Sequence, residues 1–176
     1  MHSFEVRGGK KLQGEIIPQG AKNEALQIIS AVLLTPEEVT INNIPDIIDV
    51  NLLIELLGEM NVTINRSSRH TCTFKADNVN IDYLHSEAFK KKSGKLRGSV
   101  MFAGPMLARF KKAFIPKPGG DKIGRRRLDT HIIGFEKLGA TYTYHDDGFF
   151  HLEGNNLKGT SLLLDEPSVT GTANIV

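Results

Sequence analysis

The sequence predicts a mixed α/β fold in which a helix, strand, helix, hairpin unit occurs twice and begins a third time. Apolar spacing switches repeatedly between the helical and the strand period, and seventeen glycines mark many tight turns. LGATYTY late in one unit also mirrors EMNVTIN late in the unit before, a period of about 75 to 80 residues that reads as internal duplication. Each element follows from local pattern. Phe4 to Val6 and Gly14 to Ile17 are expected as short strands. GAKNEALQIISAVLL is a helix with Leu26, Ile29 and Leu33 beside Ala25, Ile28 and Val32 on its buried face, closed by Pro36. Val39 to Ile44 alternates as a strand. Asp46 or Asp49 then caps a second helix striped by Val50, Leu53, Leu57 and Met60, weakened by Gly58.

Val62 to Ile64 and Cys72 to Phe74 form a hairpin across the polar NRSSRH, with a further strand at Val79 to Ile81. GKLRGSVMFAGPMLARF is the helix of the second unit, with Leu96, Val100, Ala103 and Leu107 on one stripe and a kink near Gly104 and Pro105. Lys112 to Ile115 is its strand, Asp129 to Leu138 its short helix, and TYTY with FFHLE its hairpin around HDDG. SVTGTANIV opens a third helix and stops. Repeat units bury their faces against one another, so the chain is expected to be a fragment of a longer protein, with self-association possible through uncovered surface.

Composition narrows the function. With 176 residues, 40% hydrophobic and 24% charged, the chain has the make-up of one folded domain. Its longest apolar stretch is far too short to cross a bilayer and no signal-peptide core is present, which predicts a cytoplasmic protein without membrane association. The single Cys72 permits no internal disulfide. Twenty-two basic against twenty acidic residues give +2, a balance that disfavours a general polyanion binder, and Lys90 to Lys92 read as a solvated run without nucleic-acid contact.

Three helix starts carry the chemistry. Gly20, Lys22 and Asn23 precede the first helix, Ser93, Gly94, Lys95 and Arg97 the second unit's helix, and Ser168, Thr170 and Gly171 the third. Free backbone amides and the positive dipole end favour an anion at such places, and three of them around a common axis would make one electropositive pocket. A capped helix with an exposed lysine is the simpler account of each start alone. Between strand and helix, PKPGGDKIGRRR sets Asp121 among Lys117, Lys122 and Arg125 to Arg127. The segment is either a solvated turn or a lid that brings charge to an anionic substrate. Asp121 is then an ion-pair partner or a proton donor, and donation requires desolvation or a substrate anion to counteract the arginines. His145, Asp146, Asp147 and His151 surround a hairpin tip and read as a polar turn, so no metal and no cofactor is expected.

LQGEIIPQGAKNEAL, NNIPDIIDVNLLIELLGEMNV, GKLRGSVMFAGPMLARF, PKPGGDKIG, LDTHIIGFEKLGA and SVTGTANIV together resemble the bacterial UDP-N-acetylglucosamine enolpyruvyl transferases. The resemblance runs from end to end but covers only the N-terminal part of that family. It implies an inside-out α/β barrel, incomplete here. Residues 1–20 would supply strands to a second domain, and residues 21–176 would form about two of three repeats of the first. The activity implied is transfer of the enolpyruvyl group of phosphoenolpyruvate to the sugar 3-hydroxyl of UDP-N-acetylglucosamine, releasing phosphate, as the first committed step of peptidoglycan synthesis. Those two small molecules are the implied partners. Lys22, Asn23 and Arg126 match the family's phosphoenolpyruvate contacts. Arg97, Arg126, Arg127, Leu128, Asp129, Thr130, Ser168 and Val169 match positions that hold the nucleotide sugar.

Some positions depart from the family pattern. Asp121 stands where most members carry a cysteine as proton donor, which implies a catalyst insensitive to fosfomycin. Arg127 stands where a proline is common, and Glu166 with Pro167 where a lysine and an apolar residue are often found. The family's remaining contacts lie in the second domain, so the chain by itself is expected to be inactive. Two alternatives are an enolpyruvylshikimate-phosphate synthase-like transferase, disfavoured by the Lys22-Asn23 pair, and a non-catalytic polyanion-binding domain.

Overall fold

The computed structural model describes residues 3–116 and 128–176. Helix α1 (Lys22–Ala31) continues as a 3-10 turn to Leu34, and extended Thr35 before Pro36 ends it, because a residue preceding proline is disfavoured in the helical region. Its face buries Ala25, Leu26, Ile29, Val32 and Leu33, while Ile28 points to solvent, contrary to expectation. Strand β1 (Glu38–Ile41) leads to α2 (Ile48–Glu59), whose Val50, Leu53, Leu57 and Met60 are fully buried as the stripe requires. Neither aspartate caps α2. Ile47 occupies the N-cap without a side-chain bond, Asp46 instead accepts from Asn51 and Arg69, and Asp49 pairs with Lys22.

Strands β2 (Thr63–Ser68) and β3 (Thr71–Lys75) form the first hairpin, and β3 lies between β2 and β1 in an antiparallel sheet. The expected strand at Val79 to Ile81 is absent. A 3-10 segment, Ile81–His85, stands there and runs into α3 (Glu87–Ser93), capped by Ser86 Oγ accepting from Phe89 N–H. The long helix expected from Gly94 to Phe110 is divided into a 3-10 segment, Arg97–Phe102, and α4 (Ala103–Phe110). Pro105 has no N–H for a carbonyl one turn back, so the regular ladder starts afresh around it. β4 (Lys112–Pro116), α5 (Asp129–Lys137), β5 (Thr141–Tyr144), β6 (Phe149–Glu153) and α6 (Val169–Ile175) complete the order.

The second sheet repeats the first. Its order, β4-β6-β5, is antiparallel throughout and matches β1-β3-β2 strand for strand. The central strand of the first sheet buries its alternate residues Cys72 and Phe74, and that of the second buries Phe149 and Leu152, three positions apart. One continuous core joins the units, and Arg109 of α4 ties them by donating to Leu33 O and Ala76 O at 3.0 and 2.8 Å. The two sheets do not close into a barrel among the described residues. Phe4 to Val6 and Gly14 to Ile17 are not strands here: they are exposed and unpaired with any described strand, and an isolated strand has no ladder to stabilise it.

Candidate functional site

The three helix starts meet. The N-terminus of α1, the start of Arg97–Phe102 and the start of α6 enclose a cleft of about 140 Å³, lined by Lys22, Asn23, Asp49, Lys95, Arg97, Gly98 and Thr170 among others. Ala21 at the N-cap of α1 offers no side-chain acceptor, so the first-turn amides of that helix keep their donor capacity. Three cations face one carboxylate across the cleft. Lys22 Nζ lies 2.7 Å from Asp49 Oδ2, with both side chains two-fifths to one-half exposed. An ion pair at that exposure is worth about 0–1 kcal/mol, so a phosphate or carboxylate entering the cleft can displace Asp49 at little cost.

Ser168 Oγ accepts from Gly171 N–H at 3.0 Å and fixes the first turn of α6. Close approach of α6 to its neighbours depends on missing side chains. A Cβ on Gly104 would come within 2.3 Å of Asn174 O, and one on Gly134 within 2.1 Å of Ile175. Asn174, buried, uses both ends of its amide: Oδ1 accepts from Gly104 N–H at 2.8 Å, while Nδ2 donates to Val100 O at 3.0 Å and reaches His131 Nδ1 at 3.1 Å. Nδ1 of His131 must therefore accept. Burial, aided by the nearby charge of Arg97, pushes His131 down to about 4, so it stays neutral at physiological pH.

The site residues expected from sequence divide accordingly. Lys22, Asn23 and Arg97 line the cleft. Ser168 and Val169 sit two residues and one residue before Thr170 at its edge, Val169 exposed and Ser168 committed to the cap. Leu128 ends the approach to α5, Asp129 opens its first turn, and buried Thr130 donates Oγ1 to Glu166 Oε1 at 3.4 Å while packing against Gly171. Asp121, Arg126 and Arg127 lie outside the described residues. Sequence reading missed Asp49 as a cleft residue and His131 and Asn174 as the buried groups that anchor α6: Asp49 looks like a helix cap in sequence, and nothing in SVTGTANIV marks its asparagine as an anchor. Of the lysine run, Lys92 pairs with Glu55 and Glu59, and Lys90 with Glu87 and the Asp147 carbonyl, which removes the picture of a free basic stripe.

A family model described as EPSP synthase (3-phosphoshikimate 1-carboxyvinyltransferase) matches residues 6–176. The chain belongs to the EPSP synthase family. Among curated relatives, the UDP-N-acetylglucosamine 1-carboxyvinyltransferases of Porphyromonas gingivalis and Bacteroides fragilis are 60% and 62% identical over the whole of this chain. That of Bradyrhizobium diazoefficiens is 42% identical over 97% of it. The chain spans 41% of the length of the first two relatives and 38% of the third. In fold, this family member is similar to the enolpyruvyl transferase NikO from Streptomyces tendae, with a TM-score of 0.68 at 20% identity over 85% of this chain and 32% of that one. EPSP synthase from Acinetobacter baumannii gives 0.63 at 15% identity over 92% and 37%. No helix among the described residues is long and apolar enough to cross a membrane.

Proposed function

We propose that the protein carrying this chain transfers the enolpyruvyl group of phosphoenolpyruvate to the 3-hydroxyl of UDP-N-acetylglucosamine, releasing phosphate, in the cytoplasmic opening step of peptidoglycan synthesis. The observation that carries this reading is the convergence of three successive repeat starts on one cationic cleft. Lys22, Asn23 and Arg126 hold the anions of phosphoenolpyruvate. Arg97, Arg126, Arg127, Leu128, Asp129, Thr130, Ser168 and Val169 hold the nucleotide sugar. Asp121 gives its proton to the methylene carbon, the adjacent carbon becomes electrophilic, and the sugar oxygen attacks it. The hydroxyl proton leaves as the oxygen attacks, and the tetrahedral intermediate then loses phosphate together with one proton of its new methyl group, which restores the carbon–carbon double bond. Fixed cations and helix amides stabilise the charge on phosphate and carboxylate without reorganising during the reaction.

Sequence identity of 60% and 62% to carboxyvinyltransferases of the nucleotide sugar supports that acceptor over shikimate 3-phosphate. The test is phosphate release by the full-length protein with phosphoenolpyruvate and either acceptor. Turnover with UDP-N-acetylglucosamine and none with shikimate 3-phosphate is expected, and the reverse preference overturns the reading. The 176-residue chain alone is expected to show no turnover, and its exposed Leu163 offers apolar surface for self-association in isolation.

A further inference from the structure

A second cluster lies on the other hairpin, apart from the residues lining the cleft. His85 ends the 3-10 segment Ile81–His85, Asp147 sits in the turn joining β5 to β6, and His151 stands on β6. His85 and Asp147 are 62 positions apart in sequence, yet His85 Nε2 and His151 Nε2 lie 2.7 and 2.9 Å from the same oxygen, Asp147 Oδ2. The three donor atoms fall within 4.8 Å of one another. We propose that His85, Asp147 and His151 form a binding site for a divalent transition-metal cation, with zinc the best chemical match.

The donor set is two imidazoles and one carboxylate, which suits zinc with a water in the fourth position. Ligand atoms around tetrahedral zinc stand about 3.3 Å apart, so the two nitrogens need retreat from the carboxylate oxygen by about half an ångström each. Side-chain exposures of 45%, 31% and 20% for His85, Asp147 and His151 leave a route for the ion and room for the water. The surroundings hold the ligands in place. Asp147 Oδ1 accepts from Phe149 N–H at 2.8 Å, the His85 ring stacks on Phe114, and the His151 ring stacks on His145 with centroids 3.9 Å apart. Lys90 bonds the backbone carbonyl of Asp147 and leaves its carboxylate to the imidazoles. Zinc entry replaces the two hydrogen bonds, each imidazole binding through a bare Nε2 and carrying its proton on Nδ1.

The experiment titrates the chelator-treated chain with zinc chloride while ring-nitrogen NMR follows every histidine. Saturable uptake of one equivalent is expected, with shifts at the Nε2 atoms of His85 and His151 and none at buried His131. Cobalt chloride is expected to give the visible absorption of a tetrahedral site. Asp147→Asn and His151→Ala should each weaken zinc binding roughly tenfold or more. Failure of the folded wild-type chain to take up zinc saturably overturns the proposal, as do ring shifts confined to other histidines. Unchanged affinity in folded Asp147→Asn does the same. The wild-type spectra decide the matter even where a variant does not fold.

Discussion

Lys22 reads differently once Asp49 is known to lie 2.7 Å away. An exposed lysine at a helix start is common, but one paired with a carboxylate inside a cleft of further cations has its charge held in place until a stronger anion arrives. The same residue-level logic applies to Asp121. If it is the proton donor, Asp121→Cys in the full-length protein should keep turnover and acquire inactivation by fosfomycin, read as time-dependent loss of phosphate release; resistance of that variant contradicts the assignment. His131 makes a separate prediction about stability. Its pKa falls from 6.5 to about 4 on folding, so between those values the unfolded chain binds more protons than the folded one. Stability is therefore full above pH 6.5, declines as pH drops through the window, and levels off near pH 4, by roughly 3 kcal/mol in all. Urea titrations across this range should show that slope in the wild-type chain and lose it in His131→Gln; an equal slope in both contradicts it.

Elements were legible where their period was long. α1 and α2 could be read from their stripes because each runs for about three turns or more, enough for the 3.6-residue spacing to exceed chance. α3 has seven residues, and its lysines hid the buried Phe89. The N-terminal segments expected as strands stand unpaired here, because residue preference alone does not make a strand without a partner. The division of the second unit's long helix at Phe102 was foreshadowed by Gly104 and Pro105, though sequence gives the kink and not the 3-10 geometry before it. Gly104 then proves to have a second role, as the surface on which α6 rests. Gly104→Ala should displace Asn174 and destabilise the chain by about 1–3 kcal/mol, since the new methyl cannot fit 2.3 Å from a carbonyl oxygen. Hydrogen exchange should report the damage as faster exchange in Val169–Ile175, and protection equal to wild type there contradicts the packing account.

At the scale of the whole molecule, duplication organises everything else. Two sheets of the same order and direction place equivalent helices side by side, and the helix that opens the third unit completes the ring of positive tips. The sequence contained the tips as three separate helix starts, but their convergence exists only in three dimensions, as does the meeting of His85 with the hairpin tip 62 residues away. The most direct measurement is steady-state phosphate release from phosphoenolpyruvate and UDP-N-acetylglucosamine by the full-length protein and its Asp121→Ala variant, with sugar-nucleotide binding followed in parallel. Loss of turnover with binding largely retained is the predicted result. Turnover by the alanine variant at the wild-type rate would contradict it.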